Sequence, residues 1–444
     1  MNIAFIPIDN RPVCYTLPYM ISKIDKRVNL IMPARELLGD LINPSKTDKI
    51  LDFLESLENI DVLILSLDTI AYGGLITSRR TNDSIDIITE RLDRLKKIIQ
   101  GKKVYAFSSI MRISNNNINQ EEKEYWNIYG KKIFEYSYNF HKNKITQTDI
   151  PQEILNDYLN TRKRNFEINK TYLEWQKQGL FEKLIFSKDD CAEYGLNVLE
   201  AQELSNLGGF IKTGADEIPL TLLARAYNDL KVQRIKVYPT FTEPEFKNLV
   251  SNYEDISIEE CVKAQLELSG CEIADKNNAD VILYVNNFKN NQGEIVMKVD
   301  TEPFSKTFKI PDKPYGIADV RFANGADNCF VNELLKKGLG NYFMGYSAWN
   351  TSANTLGSLI CGMCFAYNND FYNPEFQKLQ ITRLLDDWAY QANVRQKLKS
   401  PDEKLCKKLM KPYEEKIWSL FGTKYKTDYK FTWNRLFEIE VKLS

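Results

Sequence analysis

The chain has 444 residues, 43% hydrophobic and 27% charged, a composition that excludes wholesale disorder and suits one large barrel with additions or two to three α/β units. Its 59 basic and 60 acidic residues leave a net charge of −1, which argues against a broad nucleic-acid or anionic-membrane surface. No apolar run approaches the roughly 20 residues of a membrane span, and the start MNIAFIPIDNRP lacks the basic region and apolar length of a signal peptide, so the cytoplasm is the expected compartment.

Ile3 to Ile8 is a β-branched and aromatic run stopped by Asp9-Asn10-Arg11-Pro12, a strand ending in a polar loop. Val28 to Met32 repeats the form, an amphipathic helix follows Asn43-Pro44-Ser45 to about Leu57, and Val62 to Leu67 is a third strand closed by Asp68. In the loop beyond, Gly73 and Gly74 let backbone approach a ligand closely, while Tyr72 offers a stacking face and Arg79 a cation; a tight turn with a surface arginine is the competing reading. A helix from Ser84 to Ile99 and a strand from Val104 to Phe107 lead to Ser108, Ser109 and Arg112. Residues 115–180 lack strand runs and read as a helical insertion or lid, in which Arg162, Lys163 and Arg164 form a solvated helix face.

Two strands then run into paired acids: Leu184-Ile185-Phe186 into Asp189-Asp190, and Gly209-Phe210-Ile211 into Asp216-Glu217. Ile235 to Tyr238 and Val281 to Val285 are short buried strands, with a helical stretch over 243–275 and a charged hairpin or loop over 288–313. A further strand ends near Asn324-Gly325-Ala326-Asp327, and Tyr342 to Tyr346 precedes Trp349-Asn350-Thr351 and Asn354, followed by an apolar, small-residue helix to Tyr367. The final 75 or so residues read as amphipathic helices that pack or form a homo-oligomer surface. Strands alternating with helices predict a parallel α/β sheet, most simply a (β/α)8 TIM-barrel-like barrel spanning 1–360 with a helical extension over 361–444; two doubly wound domains are the alternative.

Chemistry must lean on carboxylates, Arg, Tyr, Asn and Ser unless His141, the single histidine, is itself the base, and the eight cysteines lack a metal or disulfide spacing; Cys361 and Cys364, the one C-x-x-C, read as packing residues. Adjacent acids repel, so one keeps its proton at higher pH, as a general acid requires. Asp189, Asp190, Asp216 and Glu217 are therefore the catalytic candidates, against a competing reading as helix caps and acidic first turns. Asp9, Asn10, Arg11, Asp68, Tyr72, Gly73, Arg79, Arg112, Asn324, Asp327, Tyr346, Trp349, Asn350 and Asn354 are substrate-binding candidates, the last four combining an aromatic face with amides suited to sugar hydroxyls. Mg²⁺ or Ca²⁺ held by Asp9, Asp68, Asp189, Asp190, Asp216 or Asp319 is weighed against the absence of a D-x-D-x-D loop, and no metal or cofactor is expected.

The motifs IPIDNRPV (6–13), PARELLG (33–39), LSLDTIAYGGLITSR (65–79), SSIMRIS (108–114), DDCAEYGLN (189–197), GADE (214–217), ANGAD (323–327) and GYSAWNTSANTLG (345–357) resemble the bacterial domain-of-unknown-function family 4127, DUF4127, from the first strand to about Gly357. That family implies no settled activity. The loops are also similar to those of substrate-assisted N-acetylhexosaminidases, which are (β/α)8 barrels. That likeness implies Asp189 as the residue aligning the acetamido group, Asp190 as general acid and base, and Asn324, Asp327, Asn350 and Asn354 as sugar-holding residues. It departs from this chain in that the acidic pair follows the fifth predicted strand, and ten strands exceed a simple barrel. The expectation is a soluble glycoside hydrolase acting on a small-molecule or saccharide substrate; a non-catalytic carbohydrate- or metabolite-binding protein and a Mg²⁺-dependent phosphoester hydrolase are the alternatives.

Overall fold

A computed structural model describes residues 1–144, 148–189, 192–232, 234–367, 369 and 373–444. The chain forms two compact units, one of Met1–Tyr15 with Asn29–Pro219, the other of Thr16–Val28 with Leu220–Ser444.

Among its described residues the first unit holds six strands: β1 Asn2–Ile6, β2 Asn29–Ile31, β3 Val62–Ser66, β4 Val104–Ile110, β5 Lys183–Lys188 and β6 Ile211–Thr213. They pair in the order β2-β1-β3-β4-β5-β6, every pairing parallel. Strands β3 and β4 are buried at every residue, which is why they read as unbroken apolar runs rather than alternating ones. Crossover helices cover one face. Ile50, Leu51 and Leu54 of Thr47–Glu55, Ile88, Leu92 and Leu95 of Ile85–Ile99, and Ile168 and Tyr172 of Gln152–Lys177 pack with Ala4, Leu63 and Ala106 of the sheet. Ser84 caps Ile85–Ile99 by accepting the N–H of Ile87.

The expected insertion is built around the long helix Gln152–Lys177. Its C-terminal half belongs to the sheet core, while Leu155 and Tyr158 join Trp126, Ile133 and Met111 in a second, smaller core. The solvated face expected of Arg162 and Arg164 is corrected. Arg162 is buried and donates to both carboxylate oxygens of Glu200, and Arg164 donates to the carbonyls of Ser78, Thr81 and Asp83. Lys163 alone of the three is exposed.

In the second unit β7 Lys236–Phe241, β8 Glu272–Ile273, β9 Val281–Asn286, β11 Tyr315–Asp319 and β13 Phe343–Ser347 pair in parallel in the order β13-β11-β9-β7-β8. The two-residue strands β10 Gly293–Glu294 and β12 Phe322–Ala323 pair beside them. Numbered from each sheet's own first strand, both units begin 2-1-3-4-5, so the same winding occurs twice without a repeat visible in the sequence. The helix Ser352–Ala366 is buried along its whole length, Cys361 and Cys364 included, as an all-round apolar helix must be.

The barrel expectation is corrected by these sheets. Among the described residues both are open, with β2 and β6 as edges of one and β8 and β13 as edges of the other. Ten strand signals and their helices are common to an open and a closed sheet; closure depends on whether the first and last strands pair, which no local pattern encodes. The residues after 361 belong to the second unit and are not all helical: β14 Thr427–Phe431 and β15 Ile439–Leu443 form an antiparallel hairpin. Over 243–275 the helix is confined to Ile258–Leu268, after a single short turn at Pro244–Phe246.

Candidate active site at the carboxyl edge of the first sheet

In an open parallel sheet, ligands bind beyond the carboxyl ends of the strands where the order reverses. In the first unit that point lies between β1 and β3. Asp9 and Asp68 each stand three residues past the paired Ile6 and Leu65, and the Thr69 hydroxyl donates to the carbonyls of Pro7 and Ile8, tying the two strand ends together.

Asp9 accepts the backbone N–H of Arg11 at 2.9 Å and its Nε at 2.8 Å. The same guanidinium reaches Asp216, Nη1 to Oδ2 at 3.0 Å and Nη2 to Oδ1 at 2.5 Å. All three side chains are buried. Burial pushes the Asp216 carboxyl above its usual range, and Arg11 pulls it partly back. The loop after β1 is thereby clamped to the loop after β6. Asn10 contributes backbone, its N–H donating to Gly39 and its carbonyl accepting Arg35 Nε.

Asp68 is fully enclosed. Its Oδ2 accepts the N–H of Ser109 on β4 at 2.8 Å, while Oδ1 has no hydrogen-bond partner among the described residues. Burial pushes its pKa up to about 7, against the pull of the Ser109 N–H. Around it the Tyr72 hydroxyl is buried and equally without a partner, and the Arg164 guanidinium lies 5.5 Å from the Tyr72 ring centre. Gly73 is required here: at φ +90° its backbone runs so close to Pro44 that a Cβ would sit 2.6 Å from the proline Cβ.

Arg79 is 2% exposed, which excludes the surface-arginine reading. Its Nη1 donates to Glu122 Oε1 at 3.0 Å, and Arg112 binds the same oxygen at 3.1 Å, Glu121 at 2.8 Å and Asp189 at 3.3 Å. Glu121 and Glu122 were not among the expected site residues. Their adjacency, like that of the other acidic pairs, was the available signal, but they stand in a stretch read as helix. Asp189 is held by Arg112, and Asp190 lies outside the described residues. Glu217 is buried against Gly214. His141 accepts the N–H of Gly195 through Nδ1 and serves the fold. Among the described residues no three His, Cys, Asp or Glu side chains gather to hold a metal ion, and no helix is long and apolar enough to cross a membrane.

The remaining candidates lie in the second unit, in a network centred on Asp319. That carboxylate accepts Asn286 Nδ2 at 2.8 Å, Tyr346 OH at 2.9 Å and the Asp327 N–H at 2.9 Å; burial, then Asp327, pushes its pKa up. Asp327 caps the helix Asn328–Lys337 and also accepts the Phe304 N–H. Asn324 and Asn350 occupy left-handed turns, joined by the Asn324 N–H to the Asn350 carbonyl. Thr351 caps Ser352–Ala366 by accepting the N–H of Asn354. Trp349 is 2% exposed and packs edge-on against Phe437, so it offers no face on which a sugar could stack. These residues hold their own unit together.

A crystal structure of a GDP-L-fucose synthetase from Naegleria fowleri is similar over 63% of this chain and 83% of its own at 11% identity, with a TM-score of 0.22, a likeness that carries no functional argument. No curated protein matches the chain, and the hexosaminidase likeness is not shown. The motifs that line the strand ends fall within one family, described as "Protein of unknown function (DUF4127)", which matches residues 3–442; the chain belongs to that family.

Proposed function

We propose that the carboxyl edge of the first sheet is the active site of a hydrolase acting on a polar small molecule, a glycoside in the first instance, with Asp68 as the proton-transferring group. One observation carries this reading: a buried carboxyl titrates near neutrality, with one oxygen anchored by Ser109 and the other without a hydrogen-bond partner among the described residues. A general acid working near pH 7 requires that pairing of protonation and placement. Asp68 would protonate the leaving oxygen as the glycosidic bond breaks, Asp9, whose orientation Arg11 fixes, would face the positive charge that develops at the reacting carbon, and water would add to that carbon and return a proton to Asp68.

The test is a panel of 4-nitrophenyl glycosides with 4-nitrophenyl phosphate as comparison. Turnover of at least one glycoside is expected, unaffected by chelators and lowered roughly 100-fold or more in Asp68→Asn with little change in KM. Equal turnover by the variant would remove the mechanism. A second reading, a binding protein without turnover, is favoured by Asp189, which is engaged by Arg112 rather than presented as an acid. Ligand-induced stabilisation with every glycoside left intact would select it.

A further inference from the structure

Lys212 is the middle residue of β6, 5% exposed, and its Nζ is buried without a hydrogen-bond partner among the described residues. Register places Ser109 opposite Ser187 and Ser187 opposite Lys212. Directly paired residues in parallel strands point to the same face, so the three side chains form one row. The Ser187 hydroxyl donates to Ser109 Oγ at 3.1 Å, and the Ser109 N–H holds Asp68. The row crosses three neighbouring strands, β4 to β6, and at roughly 4.8 Å per strand it spans roughly 10 Å. Arg79, close enough to Asp68 to act on its charge, repeats the pattern. Its Nε and Nη2 lack hydrogen-bond partners, with Nη2 4.0 Å from Glu121 Oε2, and the hydroxyls of Tyr72 and Ser66 are unpartnered too.

Buried polar groups are nearly always satisfied, and a buried cation most of all. Here the unpartnered atoms are mainly donors, three of them on cationic side chains. A neutral hydroxyl would accept a bond and leave the charge uncompensated; an anionic oxygen accepts the bond and balances the charge.

We infer that the substrate carries a carboxylate or phosphate group bound by Lys212, with Arg79 donating to oxygens nearer Asp68, so that the site takes acidic sugars or sugar phosphates rather than neutral glycosides. This rests on the reading of the Asp68 surroundings as a substrate site.

The test uses the full chain and follows thermal unfolding in inorganic phosphate, in glucuronate and in chloride at equal ionic strength. At least one of the first two is expected to raise the transition temperature above the chloride value, and the stronger of them tells phosphate from carboxylate. In Lys212→Met the anion concentration giving half the shift should rise about tenfold or more, and in Lys212→Arg by less than about threefold. Without anion, Lys212→Met should unfold at or above the wild-type temperature, since it removes an uncompensated charge. Equal shifts in wild type and Lys212→Met, no shift with either anion, or a Met variant that is less stable or fails to fold would each overturn the inference. A Lys212-dependent shift without glycoside turnover leaves anion recognition standing and removes the hydrolase; turnover of neutral glycosides without such a shift does the reverse.

Discussion

The backbone N–H of Ser109, near the end of β4, holds one carboxylate oxygen of Asp68 from the neighbouring strand at 2.8 Å and leaves the other free of described partners. Fixed in place yet deprived of water, that carboxyl has a titration range far from the one it has in the unfolded chain.

The first prediction follows from that displacement. The folded pKa is about 7 against ~3.9 unfolded, so the native state holds the proton more tightly. Its contribution to stability is fully present below about pH 4 and is lost as pH rises through 7. Asp68→Asn should therefore be more stable than wild type at pH 8 and lose that advantage by pH 4.5, measured by urea unfolding across the range. Parallel curves for the two proteins would contradict the assignment.

Arg11 bridges two buried carboxylates. Arg11→Ala is expected to cost about 3–5 kcal/mol at pH 7, because Asp9 and Asp216 would face each other without a cation. Arg11→Lys should recover only part of the loss, since a point charge cannot donate to both carboxylates in the same planar geometry. A loss below about 1 kcal/mol in the alanine variant would refute the clamp.

Gly214 has φ +105°, and a Cβ there would lie 1.9 Å from Glu217 Oε1. Gly214→Ala should destabilise by roughly 2–3 kcal/mol, about 1 kcal/mol of it from the backbone and the rest from displacing the carboxylate. In a Glu217→Ala background the second part should vanish. A cycle with no coupling would place the cost entirely in the backbone.

In the second unit, Tyr346→Phe removes one donor from the buried Asp319 carboxylate and should cost about 1–2 kcal/mol. The cost should be larger at pH 8 than at pH 5, because burial raises the Asp319 pKa and the ionised form depends more on its donors.

Trp349 is expected to matter to folding rather than to sugar binding. Trp349→Ala should lose about 3–5 kcal/mol, and Trp349→Phe should regain most of it. A phenylalanine variant of wild-type stability with strongly weakened saccharide binding would restore the stacking role.

Ten strands are legible in the chain as short apolar runs, most plainly β3, β4, β11 and β13, where burial on both faces removes the alternation and leaves a local signature. The acids ending β1, β3 and β5 are equally visible. The β14–β15 hairpin was also written there: Thr427, Tyr429 and Phe431 alternate with Asp428 and Lys430, and Ile439, Val441 and Leu443 with Glu440 and Lys442. The Lys-rich surroundings drew that stretch toward a helical reading. Arg162 and Arg164 read as solvated, and a surface position was the competing reading of Arg79, since burial of a cation depends on partners elsewhere in the chain.

The order of strand, polar loop and helix follows from residues within reach of one another along the chain, and these are legible without coordinates. Which loops share a site does not. Arg11 meets Asp216 from 205 residues away, Arg112 meets Asp189 from 77 away and Ser109 meets Asp68 from 41 away. The last two exist because parallel pairing sets β4 beside β5 and β3 in a particular register, whereas the first joins loops whose strands, β1 and β6, have three strands between them in the sheet. An open sheet and a closed barrel would issue from the same local propensities, and the choice between them lies in long-range hydrogen bonding and packing.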